Sequence, residues 1–128
     1  MIMRRPLDPL SKRFVLIQHR PDAEWYLTES LLWTDDPHQA ARFCKRKAFF
    51  WLDQVNKDYP ESQHWLKNAR IHILETKAID LIARICKAKD EQNDVAFSNA
   101  KRKLYNTKCK LRRLYNYGYK EFLLTQCQ

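Results

Sequence analysis

Two segments near the start of the chain have the hydrophobic pattern of a β-hairpin. Residues 13–19 (RFVLIQH) are rich in β-branched and aromatic side chains, and residues 24–29 (EWYLTE) place alternate side chains on opposite faces. Both features are typical of strands. Residues 20–23 (RPDA) carry proline at the second position, which favours a turn. Residues 31–33 are expected to extend the same sheet.

The next pattern predicts an amphipathic helix over residues 37–57. Apolar residues recur every three or four positions from Ala40 to Val55, which is the period of one helical face. Pro37 suits the first helical position, and the preceding Asp and Thr side chains are able to cap it. A break near Phe43 is compatible with the spacing, and the helix must end by Tyr59-Pro60.

A third strand is predicted at residues 69–75 (ARIHILE), where Ile71 and Ile73 alternate with the residues between them. Residues 61–66 are compatible with one helical turn. The expected fold class is therefore α+β, with a small antiparallel sheet formed by the hairpin and the third strand, and one helix packed across it. We expect these residues to be buried between sheet and helix: Phe14, Leu16, Trp25, Leu27, Phe43, Trp51, Leu52, Ile71 and Ile73.

The rest of the chain predicts helices. Residues 78–86 form one, and the polar stretch 89–94 interrupts the pattern, with Asn93 or Asp94 as the cap of the next helix. That last helix keeps its three-four apolar spacing from Phe97 to Tyr115, and Gly118 is a suitable stop. Residues 119–125 are compatible with a strand or a helical turn. We expect a single domain over residues 1–128, composed of an α+β core (1–75) and a basic helical region (76–128).

Charge is unevenly distributed between these two regions. The formal net charge is +9; residues 1–75 hold 12 basic and 10 acidic side chains, whereas residues 76–128 hold 12 basic and five acidic ones. Within 95–117 seven residues are basic and none is acidic. Like charges one turn apart destabilise a helix, so an acidic partner would relieve this repulsion. An uncompensated basic stripe is typical of a protein that binds phosphates.

The residues expected to contact nucleic acid or a nucleoprotein lie on the last helix. Lys101, Lys108 and Arg112 form one row along it, Arg102 and Arg113 a second, and Lys103 and Lys110 a third. Tyrosines interleaved with these basic residues are able to stack on unpaired bases, and Tyr105 and Tyr117 are included in the predicted site. The full predicted site is Lys101, Arg102, Lys103, Lys108, Lys110, Arg112, Arg113, Tyr105 and Tyr117.

Other interpretations of the basic stripe stay open. A basic protein that exposes a merely solvated face has the same pattern. A plain protein–protein adaptor also accommodates it, and the tyrosines are equally compatible with packing. Binding to an acidic membrane surface is less favoured, because the apolar stripe is needed to fold the helix onto the rest of the chain.

Several classes of chemistry are disfavoured by composition. Gly118 is the only glycine in the chain, and phosphate-cradling loops and dinucleotide fingerprints need several. The four cysteines, Cys44, Cys86, Cys109 and Cys127, match no zinc spacing and are expected to be free thiols in the cytoplasm. The four histidines show no paired spacing. We therefore expect no metal, no cofactor and no catalytic residue.

One enzymatic alternative remains, a metal-dependent nuclease. Pro21-Asp22 together with Glu75-Thr76-Lys77 resembles the PD…ExK pattern, which implies two carboxylates, Asp22 and Glu75, that hold magnesium, and a lysine, Lys77, that stabilises the attacked phosphate. About fifty residues separate the two parts, and Asp22 falls in the hairpin turn.

A resemblance of layout covers about the first 75 residues. A hairpin containing Trp25-Tyr26-Leu27, then Trp33-Thr34 with two aspartates, then an amphipathic helix to Leu52 resembles short accessory proteins encoded by phages and prophages. The resemblance implies an anti-defence factor, of which anti-CRISPR proteins are one kind, that acts in the host cytoplasm on nucleic acid, a ribonucleoprotein or a host defence protein. It carries no catalytic residue across, and the basic charge does not fit DNA mimicry.

Overall fold

The computed structural model describes residues 11–115, which fall into two compact units, Ser11–His72 and residues 73–115. The predicted α+β class is confirmed. The strands are β1 (Arg13–His19), β2 (Glu24–Leu27), β3 (Trp33–Thr34), β4 (Phe43–Cys44) and β5 (His64–Asn68). The helices are α1 (Lys45–Asp58), α2 (Ala69–Asp90) and α3 (Asp94–Leu114). None of the helices in this described part is long and apolar enough to cross a bilayer.

Strand β1 is the centre of the sheet and pairs antiparallel with three other strands. On one edge β5 pairs along its length, with Leu66 opposite Leu16. On the other edge, β2 pairs with the last residues of β1, with Tyr26 opposite Ile17, and β4 pairs with the first residues of β1. Phe14 is opposite residues of both β4 and β5, so these two strands lie on opposite edges of β1. Strand β3 pairs with the outer edge of β2.

Both faces of β1 are buried, which explains its unbroken apolar run. Leu16 is fully buried on one face of the sheet. His64 of β5 is paired with Gln18 and lies on the same face. Because His64 bonds to Asn56 of α1, this is also the face that α1 covers. Val15 and Ile17 are fully buried on the opposite face, where they pack with Ala69 and three half-buried side chains, Tyr26, Ala40 and Trp65.

The predicted hairpin is confirmed, and its second strand is shorter than expected. Strand β2 ends at Leu27, and a turn follows in which the Thr28 carbonyl accepts from the Leu31 amide at 3.0 Å. Leu31 has a φ of 64°, which is costly for a side chain with a Cβ. The sheet resumes at β3, so residues 24–33 are two strands joined by a turn.

The helix predicted over residues 37–57 is wrong in its first third. Asp36 caps a short 3-10 turn, Pro37–Gln39, by accepting from the His38 amide. The chain is then extended and forms β4, and α1 begins only at Lys45. Pairing of β4 with the start of β1 satisfies backbone groups that a longer helix would have satisfied internally. Helix α1 ends before Tyr59-Pro60, as expected.

The prediction of the third strand is wrong in position. Residues 69–75 are the first turns of α2, and the strand is β5, where a helical turn over residues 61–66 was expected. Within α2 the buried or half-buried residues continue at three-four spacing far beyond the apparent alternation. The apolar residues on this face include Ile71, Leu74, Ala78, Leu81, Ile85 and Ala88.

Asn68 makes the transition from β5 to α2. Its side-chain oxygen accepts from the Arg70 amide at 3.0 Å, which is the bond that an N-cap makes, and from the Ser11 amide at 3.1 Å. Its amide nitrogen donates to the Ser11 carbonyl at 2.8 Å. Asn68 therefore starts the helix and holds the chain just ahead of β1.

Helices α2 and α3 are joined by residues 91–93, with Gln92 in the left-handed region at φ 53°. Of the two residues predicted as the cap of this helix, Asn93 is the one that caps α3, by accepting from the Ala96 amide at 3.1 Å. The apolar stripe of α3 is buried at Ala100, Thr107, Leu111 and Leu114. The predicted helix 78–86 and the predicted last helix, with its apolar spacing from Phe97 to Tyr115, are thus present as parts of α2 and α3, as far as the described residues extend.

The expected core is only partly correct. Of its residues, Leu16, Leu27, Phe43 and Ile71 are buried, and Phe14, Trp25, Trp51, Leu52 and Ile73 are half-buried. Within residues 11–115 the cysteines are free thiols, at Cys44, Cys86 and Cys109. The predictions for Tyr117, Gly118, residues 119–125 and Cys127 lie outside the described residues.

Asn68→Ala is predicted to lower the free energy of unfolding by about 1–3 kcal/mol, because it leaves the Arg70 amide and both backbone groups of Ser11 without their partner. Urea denaturation measures the change. Asn106→Ala, an exposed position on α3, is the control and should shift the value by no more than about 0.5 kcal/mol. Equal effects from the two variants would contradict the bridging role of Asn68.

Candidate nucleic-acid interface

Helix α3 exposes every basic side chain predicted for the site. Seven side chains form what we call the α3 basic face, and all of them are exposed: Lys101, Arg102, Lys103, Lys108, Lys110, Arg112 and Arg113. Burial of the apolar stripe orients the helix and leaves these side chains toward solvent. Within the described residues no acidic side chain forms a salt bridge with any of them.

Tyr105 is the predicted aromatic residue that the structure describes, and it is 69% exposed. It follows Lys101 by four residues and precedes Lys108 by three, so all three side chains share one side of α3. The ammonium group of Lys101 also lies 5.0 Å from the centroid of the Phe97 ring, a cation–π contact that holds the start of this row. Tyr117, the other predicted aromatic residue, lies outside the described residues.

A groove between α2 and α3 adds two basic residues that the sequence analysis did not select. Its volume is about 310 Å³, and it brings Arg84 and Lys87 of α2 to the same groove as Lys103 of α3. Glu91 also lines it, with a carboxylate oxygen 4.0 Å from the Lys87 ammonium group. Only part of the signal was available in the sequence: Arg84 lies in the predicted helix 78–86 and Lys87 directly follows it, but nothing local indicated that they meet Lys103.

The residues of the nuclease alternative do not have the local structure that the PD…ExK pattern requires. Glu75 and Lys77 lie inside α2 and not at the end of a strand. Glu75 and Lys77 are two residues apart, which is about 200° around the helix at 100° per residue. Their side chains therefore project in nearly opposite directions and do not converge on one phosphate. Asp22 is exposed in the turn between β1 and β2. Across residues 11–115 no three His, Cys, Asp or Glu side chains cluster so as to hold a metal ion.

Comparisons with protein-family models, with curated protein sequences and with solved structures gave no match.

A second polar cluster, which the sequence analysis missed, surrounds His64. Arg20 Nε donates to Gln18 Oε1 at 2.7 Å, so the Gln18 amide nitrogen faces His64 Nε2 at 2.9 Å. That amide nitrogen only donates, and His64 Nε2 must therefore accept. His64 Nδ1 then carries the proton and donates to Asn56 Oδ1 at 3.0 Å. The chain of bonds selects the neutral imidazole with its proton on Nδ1.

Aromatic rings enclose this cluster. The His64 ring lies 5.8 Å from the Trp33 ring and 6.3 Å from the Tyr59 ring, and the Arg20 guanidinium lies 3.9 Å from the centroid of Trp25. Burial among these groups disfavours the charged imidazolium and lowers the pKa of His64 below its ordinary value of 6.5. The cluster joins β1, β5 and the end of α1, which is a structural role.

Acidification is predicted to destabilise the protein through His64. Because the pKa of His64 is lower in the folded than in the unfolded state, the unfolded chain binds the proton more readily. The contribution is fully present above about pH 6.5 and is lost as the pH falls through the lowered folded-state value. Denaturation at pH 7.5, 6.5, 5.5 and 5.0 measures this loss.

His64→Gln is the comparison that isolates this effect, since His19, His38 and His72 remain in both proteins. The variant is expected to be less stable than the wild type at pH 7.5, and the difference should narrow as the pH falls. A difference that stays constant with pH would show that His64 does not contribute to the acid sensitivity.

Proposed function

We propose that this protein is a non-catalytic nucleic-acid-binding protein that contacts phosphates through the α3 basic face. The observation that carries the proposal is the exposure of all seven basic side chains on one helix whose residues 95–115 include no acidic side chain. Such a face is unfavourable to the isolated helix, because like charges at three and four residues repel. Phosphates neutralise these charges and release counterions, which favours binding.

The geometry of α3 supports contact with several phosphates at once. The basic residues of α3 extend from Lys101 to Arg113, which is about 18 Å along the helix axis at about 1.5 Å per residue. Lys103 also shares the groove with Arg84 and Lys87. Contacts spread over this length position a strand without selecting its sequence.

Tyr105 supports a preference for unpaired strands. Its ring is exposed beside the row of Lys101, Lys108 and Arg112, and an exposed ring next to cations is the arrangement on which unpaired bases stack. The anti-defence role that the layout resemblance implies is one setting for this activity, in which the protein occupies a nucleic acid or ribonucleoprotein of the host. A protein partner without nucleic acid is the alternative that the experiments must separate.

Replacement of Lys101, Lys108 and Arg112 by Gln is predicted to weaken binding to a labelled 20-nucleotide single strand. On a single strand each phosphate contact contributes about 0.7 of a unit to the slope of log affinity against log salt, so the slope should become shallower by up to about two units. Fluorescence anisotropy at four salt concentrations measures both quantities. The fold should survive, since these side chains are exposed.

The matched control removes the same charge from elsewhere. Lys57, Lys77 and Lys89 are exposed lysines outside α3, and their replacement by Gln lowers the net charge equally. This control should leave the salt slope closer to the wild-type value than the α3 variant does. Equal losses in the two variants would mean that overall charge, and not the α3 basic face, governs binding.

A pull-down from a bacterial lysate, with and without nuclease treatment, separates the alternative. Partners that disappear after nuclease treatment support binding through nucleic acid. A single protein that remains after nuclease treatment, combined with no measurable affinity for the labelled strand, would replace the proposal with a protein–protein adaptor.

A further inference from the structure

The Ser11–His72 unit carries a second set of exposed basic and aromatic side chains, at the start of α1. We define the α1 surface by five exposed residues in the segment KRKAFF: Lys45, Arg46, Lys47, Phe49 and Phe50. No acidic residue occurs between Asp36 and Asp53 in the chain. Within residues 11–115 none of the three cations forms a salt bridge.

The exposed rings are the unusual feature of this surface. Phe49 is 40% and Phe50 is 55% exposed, although burial of a phenyl ring is strongly favourable. The inner side of the same helix is filled by Ala48 and Val55, which are buried. The two rings are thus not part of the hydrophobic core, and they remain available to a ligand.

Helical spacing places each ring beside a cation. Phe49 follows Lys45 by four residues and Phe50 follows Arg46 by four, so each pair lies on adjacent turns of one side of α1. The Phe50 ring also meets the Trp51 ring edge-on, with centroids 5.1 Å apart. This contact restrains Phe50, which nevertheless remains 55% exposed.

Two further arginines lie on β1 and just ahead of β4, close in the pairing register to the start of α1. The register of β1 with β4 places Arg13 opposite Cys44, the residue that precedes α1. Arg13 also donates from Nη1 to the carbonyl oxygen of Arg42 at 3.2 Å. Arg13 and Arg42 are both exposed and line a cavity with Glu29 and His38. Because Arg13 shares a face of β1 with Val15 and Ile17, opposite the face that α1 covers, the two arginines are not part of the α1 surface.

We propose that the α1 surface is a second nucleic-acid-binding site, which takes an unpaired strand by stacking bases on Phe49 and Phe50 while the neighbouring cations contact its phosphates. Interleaved rings and cations are the arrangement used to bind single strands without sequence preference. A duplex offers phosphates but no exposed base faces, so the two rings distinguish the two substrates. The site lies on a different unit from the α3 basic face and is independent of it.

Two other occupants fit the surface less well. A helix that lies in a lipid surface has an unbroken apolar face, whereas here Arg46 and Asp53 project between the two rings at 100° per residue. Asp53 itself is bound to Lys57, with nitrogen and oxygen 3.1 Å apart. A second copy of the chain would place the same cations against each other, and this repulsion opposes a symmetric dimer.

The decisive experiment replaces both rings and keeps the charges. Phe49→Leu with Phe50→Leu retains apolar side chains of similar size but removes the aromatic faces. Affinity for a labelled 20-nucleotide single strand should fall at least about tenfold, since stacking on a side chain contributes strongly per base. Affinity for a duplex of the same length should stay within about twofold of the wild type.

Three controls make the result specific. Tyr59→Leu removes an exposed ring of the same unit outside the α1 surface and should change neither affinity. Arg46→Gln with Lys47→Gln should lower the affinity for both the single strand and the duplex, and should reduce the salt slope by up to about two units. The ring replacements are also made in the variant of Lys101, Lys108 and Arg112, so that the further fall in single-strand affinity reports on the α1 surface without the α3 basic face.

Clear results would overturn the inference. An unchanged single-strand affinity of the Phe49/Phe50 variant, with the fold intact by circular dichroism, would exclude base stacking at this surface. Equal losses for single strand and duplex would assign the rings to the fold. Two other assays test the alternative occupants. If the rings are required for binding to vesicles of phosphatidylcholine and phosphatidylserine, but not for strand affinity, the surface binds lipid. If they are required for self-association measured by light scattering, but not for strand affinity, the surface binds a second copy of the chain.

Discussion

The antiparallel pairing of β1 on both of its edges is the interaction on which the Ser11–His72 unit depends. Strand β5 pairs along one edge, and β2 and β4 divide the other between them. With neighbours on both edges and four consecutive buried residues from Val15 to Gln18, the strand exposes little to water. Buried backbone groups must find hydrogen-bond partners. The short strands β4 and β5 therefore form because they pair with β1 as much as because of their own sequences.

This arrangement also fixes where α1 lies and what it presents. Its start follows directly from β4, which is paired with β1, and its end is tied to β5 through Asn56 and His64. Anchored at both ends, the helix turns Ala48 and Val55 inward. Its outer side then has to expose whatever the sequence places there, which includes two phenyl rings and three cations.

Helices α1 and α3 share one local arrangement, although they belong to different units. In each, a basic residue precedes an exposed aromatic residue by four positions, as Arg46 precedes Phe50 and Lys101 precedes Tyr105. Exposed rings and unpaired like charges both work against the folded chain in isolation. An anionic ligand with planar groups would remove both costs together, and for this reason we propose the same class of ligand for both surfaces.

Local patterns in the sequence were enough to determine the elements whose stability is local. The β1–β2 hairpin, the cap at Asn93, the apolar stripe of α3 and the exposure of its basic residues all follow from spacing over a few residues. Tertiary structure alone decided the rest. Residues 64–68 form a strand because β1 offers them an edge. Once that strand takes its place, residues 69–75 begin a helix, which the local cap at Asn68 and the three-four spacing that continues to Ala88 also favour. The meeting of Arg84 and Lys87 with Lys103, and of Arg13 with Arg42, likewise depends on chain segments distant in sequence, whose contacts no local pattern records.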